Sequence, residues 1–338
     1  MKVLITGSSG FLGRYVVAAA LRHGHRVKAV SRSEITSFPQ PIRDHKSFEV
    51  YKADLANLNN HPEMMNGVEG VIHLAASKSS DFTEAYQGTV QTTKNLLSLL
   101  ASHTNCPLVL VSSFSVYDYA EPLKGSLLDE ENSLEKHPAV RDAYAQTKIT
   151  QEQVVRDYAR SHANTVTFIR PAMIFGQGAL WNALHGLGAG PLWLLIGADK
   201  IIPLTYVENC AEAIVLALES DTARGQTINI VDDELPTRAT YTDSLLTQTL
   251  NPPKVIRVNQ GLLRAIAALA SGINQSILLN KAKLPGLLIP ARFDSRFKSF
   301  TYSNTRAKRL LNWHPRYNLE ASLKRCTLDE DRLFDGLT

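Results

Sequence analysis

Apolar residues along this chain fall into two alternating rhythms. Short unbroken runs, namely Lys2–Thr6, Arg26–Val30, Phe48–Tyr51, Gly70–Leu74, Leu108–Val111 and Thr165–Arg170, have the length and β-branched content of strands buried on both faces. Between them lie segments with helical spacing: Tyr15–Leu21, about 81–102 with Leu96, Leu97, Leu99 and Leu100, and Arg141–Ser161. Strand, helix, strand repeated in this way predicts an α/β fold, a doubly wound parallel sheet with right-handed crossovers and a ligand at the carboxyl ends of the strands. After Pro171 the rhythm breaks. Residues 175–200 are rich in Gly, Leu and Trp without a clear period, Val207–Glu219 reads as a helix, and Thr227–Val231 as a strand expected to return to the main sheet. From Asp232 onward helical patterns dominate, with Tyr241–Leu250, Gly261–Ile273 and Thr305–Leu311 the clearest.

The glycines give the first rhythm its chemistry. Gly7-Ser8-Ser9-Gly10-Phe11-Leu12-Gly13 follows the first strand at once and opens the first helix. In that context Gly7 permits a tight turn, Gly10 lets a pyrophosphate approach the backbone, and Gly13 lets helix and strand pack closely. The helix N-terminus then offers unpaired N–H groups to the phosphates. The expected division is a dinucleotide-binding domain over residues 1–174, rejoined by 203–231, and a smaller, mostly helical substrate-binding domain from 175–202 and 232–338.

Composition removes other classes. Among 338 residues, 36 basic and 32 acidic side chains give a net charge of +4 without long runs of one sign, which argues against nucleic acid. The three cysteines, Cys106, Cys210 and Cys326, are far apart and in no metal-ligand pattern, so no metal is expected and a reducing, cytoplasmic setting is. Met1 leads straight into a strand rather than into a signal sequence. Leu187–Ala198 and Gly261–Ile273 are too short to span a bilayer, although the second keeps the option of lying on a membrane surface.

Thr6-Gly7-x-x-Gly10-x-x-Gly13 at the N-terminus, with Tyr144-Ala145-Gln146-Thr147-Lys148 further on, resembles the extended branch of the short-chain dehydrogenase/reductase superfamily, the NAD(P)-dependent epimerase/dehydratase family. Further matches run the length of the chain: Ala53-Asp54-Leu55, His73-Leu74-Ala75-Ala76, Arg170-Pro171 with Phe175-Gly176, Tyr206-Val207-x-Asn209-x-Ala211, and Ala307-x-x-x-Leu311-x-Trp313-x-Pro315. The resemblance implies that Ser113, Tyr144 and Lys148 are catalytic, with Ser113 past the end of the fifth strand, three residues before the Val116-Tyr117 pair. It implies a cofactor site from Gly7, Ser9, Gly10, Phe11, Leu12, Gly13, Ser31, Arg32, Asp54, Leu55, Leu74, Ala75, Ala76, Ser112, Tyr144, Lys148, Pro171 and Ile174. One departure is Thr89, with Thr93 and Asn95, where the family often reads Asn-x-x-x-Thr-x-Asn; this leaves the role of the first Asn open.

Tyr144 and Lys148, four residues apart, share one helix face. Ketone reduction needs a proton at oxygen as hydride reaches carbon, and alcohol oxidation needs the reverse. Bringing a tyrosine down from its usual pKa of about 10 to neutrality takes about 4 kcal/mol, for which an ammonium and the positive nicotinamide ring are the obvious sources. Ser31 and Arg32 end the second strand where relatives that prefer NAD carry an acid, so NADP is favoured over NAD. Met173 stands where nucleotide-sugar relatives carry a substrate-binding Asn, and the apolar stretches Leu180–Ile196 and Gly261–Leu279 are expected to line a greasy pocket. A small-molecule alcohol or ketone dehydrogenase or reductase, close to the 3β-hydroxysteroid dehydrogenase side, is therefore preferred. Arg292, Arg296 and Lys298 keep open an epimerase or dehydratase with tightly bound NAD, and a non-catalytic dinucleotide-binding regulator is the third reading. The resemblance also implies a homodimer through the helix that carries Tyr144.

Overall fold

The computed structural model of the protein describes every residue except 33, 35–37, 58–60, 104, 163–164, 183–184, 250, 278, 280–283, 327–336 and 338. Positions within three stretches named above (183, 184, 250 and 278) thus lie outside the described residues. Seven strands form one parallel sheet: β1 (Lys2–Thr6), β2 (Arg26–Ser31), β3 (Phe48–Lys52), β4 (Gly70–His73), β5 (Leu108–Val111), β6 (Val166–Pro171) and β7 (Thr227–Ile230). Their spatial order is β7-β6-β5-β4-β1-β2-β3, so the winding reverses between β1 and β4. A ligand crevice belongs at that reversal.

Successive strand residues point to opposite faces, which sorts the core into two halves. Val3 and Ile5 pack with helices α1 (Phe11–Arg22) and α4 (Val207–Glu219) on one face. Leu4 packs on the other with α2 (Thr92–Leu100) and α3 (Ala143–Ser161). Asp142 accepts a hydrogen bond from the Ala145 N–H (2.9 Å) and so starts α3 two residues later than the periodicity predicts.

Residues 175–200, which carry no period, hold a hairpin. Gly186–Ala189 runs antiparallel to Leu192–Ile196 across a turn at Gly190, and Lys254–Val258 adds a parallel third strand. Beyond it, α5 (Gln260–Ser276) packs on α6 (Pro290–Phe297) around Ile196, Phe293 and Phe297. The last helices return to the main core, where Leu311, Trp313, Leu323 and Cys326 are buried among α1 and α4 residues. Two distant motifs meet here. Asn209 donates to Asp232 (3.1 Å) and to the Tyr317 carbonyl (2.8 Å), and accepts from the Trp313 indole N–H (3.0 Å) and the Tyr317 N–H (3.1 Å).

His23 ends α1 between two carboxylates of α4, with Nε2 2.8 Å from Glu212 and Nδ1 3.1 Å from Glu219; His25 shares Glu219 at 2.8 Å. The hydrogen bond and charge of Glu212, with help from Glu219, raise the His23 pKa to about 9 against partial burial. A raised folded-state pKa adds stability that is complete below the unfolded value near 6.5 and fades as pH climbs through 9. We expect thermal stability to decline from pH 6.5 to 9, and His23→Gln to flatten that slope in melting curves across the range.

Candidate active site

Every residue expected at the site lies at or just past the carboxyl edge of the sheet. Gly7 leaves β1 at φ +67°, and a Cβ there would meet the Leu74–Ala75 backbone at 2.8 Å. The first turn therefore lies against the segment leaving β4, at the reversal of winding. A Cβ on Gly13 would stand 2.1 Å from the Gly7 carbonyl, so only glycine lets α1 start here. Ser8 ties the loop to β2 by donating to the Val30 carbonyl (2.9 Å). Ser9 and Gly10 are exposed at the N-terminus of α1, whose first turn holds no acid, and Phe11 and Leu12 follow half-buried. That N-terminus suits a pyrophosphate: N–H groups and the positive end of the helix dipole face solvent with nothing anionic to repel it.

The neighbouring strand ends complete the cradle. Ser31 is buried and Arg32 exposed at the end of β2, and Lys52 pairs with Ser31 in the register of β3. Asp54 accepts from the Ala56 N–H (3.0 Å) and the Asn57 amide (3.2 Å), capping the turn that buries Leu55. Ala76 is half-buried beside Ala75, Ser112 is buried past β5, Pro171 ends β6, and Ile174 is half-buried two residues after Ala172. These residues fit a dinucleotide: they offer open backbone at a helix N-terminus, half-buried apolar side chains, and hydroxyl and cationic groups along one edge of the sheet.

Ser113, Tyr144 and Lys148 come together over β5. The Ser113 hydroxyl lies beside the Tyr144 phenol, where it favours the phenolate, and accepts from the Ser115 N–H (3.1 Å). Lys148 Nζ, one turn on, donates to the Val111 carbonyl (2.9 Å) and to Gln151 Oε1 (2.8 Å), so that its ammonium form keeps a third N–H. Burial drives the Lys148 pKa down to about 7 despite the charge of Glu152, and Lys78 adds to the fall. Tyr144 moves opposite to the expected lowering. Desolvation raises its pKa, and the nearby Ser113 hydroxyl offsets only part of this.

Behind Lys148 runs a buried polar chain that spacing did not reveal. Gln151 Nε2 donates to Thr93 Oγ1 (2.8 Å), and Thr93 donates to the Thr89 carbonyl (2.6 Å). Thr93 has then used its one proton, so His73 Nε2–H donates to it (2.8 Å) and His73 Nδ1 accepts from the Thr6 hydroxyl (2.6 Å). This assignment requires a neutral ring, and burial with Lys148 nearby holds the His73 pKa near 3. A single π turn over Gln87–Gln91 places Thr89 and Thr93, while Thr89 Oγ1 accepts from the Ser77 N–H (2.9 Å). Thr89, at the position of the family's first Asn, therefore braces the segment after β4.

Glu152 is the other group missed; its signal was an acid four residues after Lys148, on the same face. It meets Arg170 of β6 in a two-pronged pair at 2.9 and 2.8 Å with both side chains buried, and Arg156 adds a third contact at 3.2 Å. Arg170 also lies over the Tyr117 ring, 4.7 Å from its centre.

The comparisons with known proteins agree with this fold. The model of the NAD dependent epimerase/dehydratase family matches residues 3–231. A 3-beta-hydroxysteroid dehydrogenase of Mycolicibacterium neoaurum is 23% identical over 99% of this chain and 93% of its own length. A decarboxylating sterol-4-alpha-carboxylate 3-dehydrogenase of Candida albicans is 27% identical over 97% and 96%. A 2-alkyl-3-oxoalkanoate reductase of Stenotrophomonas maltophilia is 30% identical over 65% and 66%. Among solved structures, a UDP-glucuronic acid 4-epimerase of Bacillus cereus in complex with NAD superposes with TM-score 0.70 at 18% identity, covering 98% of this chain and 99% of that one.

Removing one partner of a buried ion pair strands the other charge, at a cost of about 3–5 kcal/mol. Glu152→Ala is expected to lose stability on that scale in urea unfolding. Replacing the exposed Asp157 of α3 by Ala should change it by less than about 0.5 kcal/mol.

Proposed function

The chain belongs to the NAD-dependent epimerase/dehydratase family, and from that premise we propose an NAD(P)-dependent oxidoreductase that moves hydride between nicotinamide and a secondary alcohol or ketone. The observation that carries this reading is the Ser113 hydroxyl placed beside the Tyr144 phenol, with Lys148 one helical turn on and anchored to the end of β5. Bound nicotinamide supplies or accepts the hydride. The Ser113 hydroxyl holds the substrate oxygen against Tyr144, the acid/base, and the raised phenol pKa keeps its proton on at neutral pH. That is the form a reductase needs, because the proton goes to the carbonyl oxygen as hydride reaches carbon. Lys148 orients the ribose through its remaining N–H.

An apolar substrate is supported from three sides. Met173 is buried in the core. Arg292 donates to the Val140 and Arg141 carbonyls (3.3 and 3.1 Å), and Lys298 to those of Tyr119 and Ala120 (2.7 and 3.1 Å), so both meet backbone oxygens. The two relatives matched along nearly their full length are named as hydroxysteroid and sterol dehydrogenases. One observation favours the epimerase or dehydratase reading: a cavity of about 680 Å³ lined by Lys124, Lys200, Arg257, Arg264 and Lys298 against Asp199 and Asp294. We assign substrate binding to 175–202 and 232–338, with 305–326 packed on the dinucleotide core, and NADP rather than NAD as cofactor. The buried free thiols of Cys106, Cys210 and Cys326 support a cytoplasmic setting. We also propose a homodimer through α3, for which light scattering should give twice the chain mass.

Thermal shift with NADPH, NADH, UDP-sugars and GDP-sugars separates the readings. We expect NADPH to raise the melting temperature and sugar nucleotides to leave it unchanged; a shift with a sugar nucleotide would overturn the substrate class. Tyr144→Phe should lower turnover about 10²–10⁴-fold and keep NADPH binding, whereas a regulator would be indifferent to it. Arg32→Ala should weaken NADPH about 10- to 100-fold and leave NADH untouched, since one charge-assisted contact is worth about 1.5–3 kcal/mol.

A further inference from the structure

We propose that α5, with the strand that precedes it, is a docking surface for an anionic lipid bilayer. The inference does not depend on the proposed reaction. The helix buries one side and leaves another bare. Leu263 and Ala267 turn inward, with Leu263 packing against Phe293 and Phe297 of α6. About a quarter turn away, Leu262, Ile266, Leu269, Ile273 and Ile277 recur at helical spacing and are exposed by 64, 47, 66, 41 and 70%. Ile256 on the preceding strand and Leu279 just past the helix are also exposed, by 40 and 70%. Among the described residues, most of the exposed large aliphatic side chains therefore belong to this one segment. Such a patch on a folded protein marks an interaction site, and here the sequence expectation fails: the stretch from Gly261 turns its large apolar side chains to solvent instead of lining a pocket.

Charge selects the occupant. From residue 244 to 293 the chain holds no Asp or Glu, while Lys254, Arg257, Arg264, Lys281, Lys283 and Arg292 are all cations. Lys281 and Lys283 lie outside the described residues and enter by sequence alone. Lys254 and Arg257 are exposed on the strand beside the patch, and Arg264 pairs with Asp294 at 2.8 Å while remaining more than half exposed. A second copy of this chain would bring cation against cation. An anionic bilayer offers both partners the surface needs: headgroups for the cations and hydrocarbon for a helix lying in the interface plane. The helix is amphipathic and no longer than 17 residues, so it lies on the membrane and does not cross it.

Sedimentation of the full-length protein with vesicles tests this. Vesicles of equal parts phosphatidylcholine and phosphatidylglycerol should carry the protein down, pure phosphatidylcholine should carry much less, and added salt should release it. Leu262→Gln with Leu269→Gln should weaken binding at least about tenfold through lost apolar burial. Lys254→Glu with Arg257→Glu, which touches no core residue, should do so through charge. Unchanged circular dichroism and melting temperature certify each variant. Failure of the unmodified protein to sediment with the anionic vesicles would overturn the proposal, as would equal binding by both double variants. A halving of the solution mass on Leu262→Gln with Leu269→Gln would overturn it in favour of a second copy.

Discussion

The geometry of the site depends on one buried ion pair, Glu152 with Arg170. Two charges taken out of water cost several kcal/mol each, and only near-ideal geometry recovers it. Here a planar guanidinium meets a carboxylate through two bonds, with Arg156 against the same carboxylate and an aromatic face beneath. The pair joins α3 to β6 and so fixes the rotation and height of α3 over the sheet. Lys148 lies one turn before Glu152 and Tyr144 one turn before Lys148, so a slip at the ion pair would move the phenol away from Ser113.

The polar chain behind Lys148 adds a second constraint of a different kind. It runs from β1 through β4 and α2 to α3 and uses neutral groups in a fixed donor order, which only a neutral His73 can satisfy. The residue that bounds the glycine loop, Thr6, is thereby linked to the residue assigned to the nicotinamide ribose. The glycine turn and the Tyr144–Lys148 face are parts of one hydrogen-bonded interior.

The parallel strands, the glycine turn and the Tyr144–Lys148 face were legible because each is local: a run, a spacing, a period. Lys254–Val258 was not, because Pro252 and Pro253 before it read as a break and its residues alternate weakly. The hairpin at 186–196 was hidden by glycines that carry no apolar signal. Gln151 and His73 act only once three elements meet, and no spacing within one element announces that. The stretch from Gly261 shows a further limit, since apolar content says that a face wants cover and not which partner supplies it. Tyr144 was expected to be lowered by the Lys148 ammonium together with the nicotinamide ring, whereas in the chain by itself its burial, which sequence does not give, raises it.

The clamp of Asn209 by Trp313 and Tyr317 has a consequence for how the protein is made. A ribosome releases the glycine loop some 300 residues before these two aromatic residues. Until they arrive, Asn209 has Asp232 but not Trp313 or Tyr317, and the buried flank of α4, against which α1 packs, lacks the cover that Leu311 and Trp313 supply. The dinucleotide half thus does not close on emergence; it waits for residues some 300 positions downstream of the glycine loop. Long-range closure of this sort slows folding and lengthens the time that apolar surface stays bare. Growth temperature and chaperone supply, more than the chemistry of the site, would then set how much of the newly made chain reaches the finished state.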